Sequence, residues 1–114
     1  MSDEDKRIWV IHTKDDNLFL RRGVIAIGRD MGDLSLIQAN RDSFKEKYTE
    51  TYPNAKKGSV ATGAGMLYRF AHEVEIGDYV VFPSKIDRQI NIGVIEGGYE
   101  YHPEAAEYVH QRKV

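Results

Sequence analysis

Few side chains here could do chemistry, and their spacing excludes more than it offers. The four histidines, His12, His72, His102 and His110, lack the i, i+4 spacing of a helical metal pair and have no cysteine to join them. No metal and no other cofactor is expected. The G-x-S-x-G elbow of serine hydrolases is missing, as is the G-x-x-x-x-G-K-[ST] phosphate loop. A metal-dependent nuclease gathers carboxylates and a lysine at a strand edge. The E-x-K here, Glu4-Asp5-Lys6, lies in a polar N-terminus with no strand before it and reads as a solvated tail. Lys45-Glu46-Lys47 reads likewise as a solvated helix face. No catalytic residue is assigned, and the domain itself is not read as an enzyme.

Binding chemistry is better represented. Lys56-Lys57-Gly58-Ser59 precedes a segment of helical periodicity, where free N–H groups and the helix dipole favour a phosphate. A polar loop ahead of an N-cap accounts for the same lysines equally well. Arg69 and His72 lie off the apolar stripe of that helix and would extend a backbone contact. The aromatics Trp9, Tyr68, Tyr79, Phe82, Tyr99, Tyr101 and Tyr108 suit core packing or stacking on a base, since both uses take the same rings. In "GGYEYHP", residues 97–103, a period of two puts Tyr99 and Tyr101 on one face and Glu100 and His102 on the other, unless the glycines or Pro103 introduce a bulge.

The elements that must position these groups follow from periodicity. Arg7 to His12 is β-rich and ends at the polar cluster Thr13 to Asn17. Leu18 to Arg22 suits a helical turn closed by Gly23, and Val24 to Gly28 a short strand buried on both faces, followed by the loop "GRDMGDLS". Asn40 or Asp42 can cap a helix to about Thr51 that carries Phe44 and Tyr48 on one face and stops before Pro53. Ser59 is the expected cap of a second helix, in which Val60, Gly63, Ala64, Leu67, Phe70, Ala71 and Val74 form one stripe. Gly63 and Ala64 would let that helix approach a sheet closely. Further strands are expected at Tyr79–Phe82, Ile90–Ile95 and Glu107–Lys113. Five or six short strands with two or three helices define an α+β class: a small, mostly antiparallel barrel decorated by helices.

Bulk properties narrow the setting. A chain of 114 residues, 41% of them hydrophobic, suits one domain over 7–114 behind a frayed tail at 1–6. Sixteen Lys and Arg against 18 Asp and Glu give a net charge of -2, so any polyanion contact must use a local patch. Without cysteine or an apolar leader, the expected location is the cytoplasm. Apolar runs such as Val24 to Ile27 are too short to span a bilayer, and no membrane partner is expected.

The ordered series Ile8-Trp9-Val10, "GVIAIG" at 23–28, "GDLS" at 32–35, "TYPNA" at 51–55, "AGMLYRFAHEVEIGDYVVF" at 64–82 and "IGVIEGGYEYHPE" at 92–104 resembles the N-terminal domain of Mrr-like restriction endonucleases. That domain is similar to the EVE, YTH and PUA group of small barrels, and the resemblance runs from about residue 7 to 113. It implies a PUA/EVE-like pseudo-barrel whose cavity takes a base flipped out of DNA, in several relatives a modified one. It also implies a C-terminal nuclease domain, of which this chain would be the detached reader. The sequence makes two departures from the pattern: Arg29 and Asp30 stand where relatives carry an aromatic, and Met66 replaces a polar residue. The resulting expectation is a non-catalytic reader with Trp9, Arg29, Tyr99, Tyr101 and His102 in the base pocket and Lys56, Lys57, Ser59 and Arg69 on phosphate. The alternatives are an interaction or homo-oligomerisation module that buries the GGYEYHP surface, and an RNA reader.

Overall fold

The structure, a computed structural model, describes residues 6–11, 16–84, 88–105 and 107–114. His12 and the Glu4-Asp5 part of the E-x-K lie outside them. Within them are six strands, β1 (Ile8–Val10), β2 (Val24–Ile27), β3 (Tyr79–Pro83), β4 (Ile90–Val94), β5 (Glu100–Tyr101) and β6 (His110–Lys113), and three α-helices, α1 (Asp16–Leu20), α2 (Arg41–Thr51) and α3 (Lys57–Tyr68). A 3-10 turn covers Leu34–Leu36, and a π-helical segment, Arg69–Glu73, continues α3. The class is α+β, as expected. The strands form two three-stranded sheets, ordered β1-β3-β4 and β2-β6-β5. Three of the four ladders are antiparallel, while β1 runs parallel to β3 with Trp9 opposite Val80.

Strand β2 is buried along its whole length because its alternate residues enter different apolar clusters. Ile25 and Ile27 join the main core with Phe44, Leu67, Phe70 and Val80, whereas Val24 and Ala26 pack with Leu18 and Tyr108. Both faces of the strand are therefore covered, and a continuous apolar run is what such a strand requires. Beyond β4 the chain passes from one sheet to the other. Ile95 N–H donates to Asp78 O at 2.8 Å, and the N–H groups of Glu96 and Gly97 donate to Lys113 O at 2.9 and 3.2 Å.

Helix α2 has the cap expected of it: Asn40 Oδ1 accepts from Ser43 N–H at 2.7 Å, and the helix stops two residues before Pro53. Helix α3 departs from expectation. Ser59 is not its cap, because Lys56 is the last residue with extended backbone and the helix begins at Lys57, leaving Ser59 within the first turn. Nor does Gly63 serve a sheet. A Cβ there would come within 2.6 Å of the Tyr48 ring, so the missing side chain makes room for α2.

The π segment is the larger departure. Val74 N–H donates to Arg69 O at 2.9 Å, a bond spanning five residues instead of four. The widened turn leaves the carbonyls of Phe70 and Ala71 to a partner far along the chain: Arg112 Nε donates to Phe70 O at 2.8 Å, Nη2 to Ala71 O at 3.0 Å and Nη1 to Gly97 O at 3.2 Å. Only 4% of Arg112 is exposed. Strand β6, which sequence presents as a strand of mixed polarity, thus buries His110, Gln111 and Arg112 in succession.

Candidate nucleic-acid interface

Asp78, only 2% exposed, organises the surroundings of the chain's single tryptophan. Its Oδ2 accepts from Trp9 Nε1 at 2.9 Å and from Glu75 N–H at 3.0 Å, and its Oδ1 accepts from Arg7 N–H at 3.3 Å. Burial alone would raise the carboxyl pKa, but these donors and the Arg7 charge outweigh it and hold the group below its ordinary value. The indole is fixed by its edge. Its ring helps to line a cavity of about 260 Å³ together with Ile27, Met66, Arg69, Phe70 and Val74. Most of that wall is apolar, and Arg69 is the one charged residue in it. Among the described residues no carboxylate pairs with the Arg69 guanidinium.

Two further arginines lie close to the residues that line this cavity. A Cβ on the buried Gly65 would lie 3.4 Å from Arg41 Nη1 and 3.5 Å from Arg69 Nη1, so both guanidinium groups lie over that glycine. Arg41 also stacks on Tyr68 at 5.1 Å and pairs with Glu73 at 3.0 Å, while Arg7 reaches Glu73 at 3.8 Å and the Trp9 ring at 6.0 Å. Arg7 and Arg41 thus share one glutamate, and Arg69 beside them has no carboxylate partner among the described residues. In a chain of net charge -2 this is a local positive patch.

The five residues expected in one base pocket do not lie together. Trp9 lies in the cavity just described, together with Arg69, which sequence assigned to phosphate. Arg29, held at φ 69°, lines a more open concavity of about 490 Å³ with Tyr52, Asn54 and Ser59. Lys56 and Lys57 are exposed at the adjacent start of α3. Tyr99 and Tyr101 lie together elsewhere, their rings 5.7 and 5.8 Å from the His110 ring. His102 points the other way, between Glu100 at 3.0 Å and Glu104 at 2.9 Å, so the two-residue alternation of GGYEYHP is retained.

The tyrosines hold the loop that follows β2. Leu34 N–H donates to Tyr99 Oη at 3.1 Å, and His110 Nε2 lies 3.1 Å from Arg29 O. A carbonyl only accepts, so Nε2 carries the proton. His110 Nδ1, 2.7 Å from Tyr99 Oη, must then accept the phenolic hydrogen. Tyr101 completes the attachment by donating to Asp30 Oδ1 at 2.9 Å. Burial pushes the Tyr99 hydroxyl up to about 12 and lowers the His110 pKa, and both effects favour this neutral chain of bonds. His102 is raised by its two glutamates, first Glu104 and then Glu100. Nitrogen NMR near pH 6.5 is accordingly expected to find His110 neutral with the proton on Nε2, and His102 the more charged of the two. A charged His110 at that pH would contradict the assignment.

Asp78, Arg41, Glu73 and His110 were not singled out from sequence. Asp78 stands in an "IGDY" turn whose only visible signal is the turn itself, and its partner Trp9 is 69 residues away. Among the described residues no three His, Cys, Asp or Glu side chains gather as metal ligands, and no helix is long and apolar enough to cross a membrane.

Fold and cavity together define a small α+β domain with a cavity lined by Trp9 and Arg69 and two more arginines close by. The chain belongs to the family described as domain of unknown function DUF8426, whose model matches residues 12–114. No match to a curated protein or to a solved structure is found.

Proposed function

We propose that this domain is a non-catalytic DNA reader that accepts a flipped, modified base in the Trp9 cavity. The observation that carries the reading is the juxtaposition of an apolar, aromatic cavity with arginines in and close to it. Flipping costs a few kcal/mol and must be recovered by stacking and by contacts to the base edge. An indole fixed by Asp78 supplies a pre-positioned surface, the Met66 thioether a soft wall, and Arg69 a planar donor for a base edge or a phosphate. At about 260 Å³ the cavity is smaller than the sites of about 300–1,000 Å³ used for drug-sized ligands, which suits a single ring system. The strand phosphates would run over Arg41 and Arg7, or toward Arg29, Lys56, Lys57 and Ser59 at the start of α3.

A PUA/EVE-like pseudo-barrel is the finer fold that accompanies this function. The passage of the chain between sheets at Glu96 and Gly97 supports it. The attached effector, on the resemblance to Mrr-like enzymes, is a C-terminal nuclease, and the reader would license it in the cytoplasm.

Fluorescence anisotropy with matched duplexes, one carrying a modified base, tests the reading. The modified duplex is expected to bind more tightly, and Arg69→Ala to weaken binding and lower the salt slope by about one. Equal affinities for the two duplexes would remove base reading, and a matched single-stranded RNA that displaces both would reassign the cavity to RNA.

A further inference from the structure

The sheet β1-β3-β4 turns one face to the core and leaves the other uncovered among the described residues. Trp9, Val80 and Gly93 stand in register on the inner side, where Phe82 stacks on Phe19 at 5.0 Å. On the outer side the cross-strand rows are Ile8, Tyr79 and Val94, then Val10, Val81 and Ile92, then Pro83 and Ile90. No row contains a polar side chain other than the tyrosine hydroxyl, in a chain of which 30% is charged. Exposure is high: Ile8 69%, Val10 58%, Ile90 69% and Ile92 71%, with Tyr79 and Val94 at 36% and 43%. A one-sided antiparallel sheet normally alternates apolar with polar, so a face apolar on both sides is built to be covered.

We infer that this face is the contact between two copies of the chain, which pack sheet on sheet about a twofold axis. Area and chemistry select the occupant. The six exposed side chains offer on the order of 700 Å² per copy, above the largest patch of about 300–600 Å² on ordinary monomers and close to the about 800 Å² that each partner of a stable interface buries. A face without charge has nothing with which to recognise a nucleic acid or a charged protein segment, but it matches itself. The same patch meeting its copy gives a closed, isologous dimer with a sandwich core. This contact differs from the GGYEYHP surface considered from sequence. It can be tested apart from DNA binding on β4, because Ile90 and Ile92 do not line the Trp9 cavity, although Val10 does.

Sedimentation velocity on the full chain tests the inference. A dimer is expected at about 10 µM, well within the range that interfaces of this area support. Ile92→Asp and, separately, Ile90→Lys place a charge in the contact and are expected to raise the dissociation constant about a hundredfold or more. Both positions are away from the Trp9 cavity, and circular dichroism reports whether each variant keeps its fold. Leu36→Asp, at a residue 83% exposed on the 3-10 turn, is expected to leave the dimer intact. A wild-type chain that is monomeric at about 100 µM would overturn the inference, given how weak such a contact would be. So would a dimer that survives both face variants, or one lost equally in Leu36→Asp.

Discussion

Replacement of Arg112 by methionine is expected to lower the unfolding free energy by about 3–5 kcal/mol, the usual cost of removing one partner from a buried charged network. Methionine fills a similar volume, so packing is nearly conserved. What is lost are three bonds, at 2.8, 3.0 and 3.2 Å, to backbone carbonyls. Two of them belong to the π segment, whose wide turn exposes them; the third, Gly97 O, lies where the chain crosses between sheets. A stranded buried carbonyl costs about 1–3 kcal/mol, and Asp78 would lose a compensating charge as well. Lysine keeps the charge but not the fork, so Arg112→Lys should fall between wild type and methionine. Urea titration measures all three, with an unchanged m-value expected for a folded variant. A loss below about 1 kcal/mol would mean that the π segment does not rely on this guanidinium.

The second large effect is expected at Asp78. In Asp78→Asn one of the two oxygens becomes an NH₂ group, which in either orientation faces an N–H donor: Arg7 N–H on one side, Trp9 Nε1 and Glu75 N–H on the other. A cost of about 2–3 kcal/mol follows for buried donors left unmatched. The variant also tests the sign of the pH dependence. The folded carboxyl is held below its ordinary 3.8, so its contribution to stability is present above that value and is lost as the pH falls through the depressed folded pKa. Urea midpoints of the wild type should therefore decline below about pH 4, and the variant should lose that part of the decline. Because Asp78 also fixes the indole, the emission of Trp9 should shift in the variant. A folded variant with unchanged emission would detach the carboxylate from cavity shape.

Sequence revealed what depends on local periodicity and little of what depends on distant partners. The Asn40 cap, the stop before Pro53, the doubly buried β2 and the antiparallel β3-β4 pair are all written within short windows. The start of α3 was not, because Ser59 is a good cap residue and nothing local shows that the helix starts three residues earlier, behind Lys56. The π segment was invisible for another reason: its carbonyls are satisfied from β6, some 40 residues on, by an arginine that looks like surface charge. Gly63 is small because of Tyr48 on another helix, a contact no stripe plot contains. At the site, Trp9 and Arg69 were visible as suitable residue types but stood 60 positions apart in separate roles. Their meeting depends on the parallel β1-β3 pair and on Asp78. GGYEYHP drew attention by its density of rings, yet its tyrosines fasten the loop after β2.

That parallel pair also sets an order of events. Trp9 meets Val80 across more than 70 residues of chain, with all three helices in between, and closing so long a loop is entropically slow. The helix pair α2 and α3, by contrast, is local. The chain's single indole therefore reports the closing of the N-terminal strand. Its fluorescence would trace a late step of folding, while far-ultraviolet dichroism would already have followed the helices.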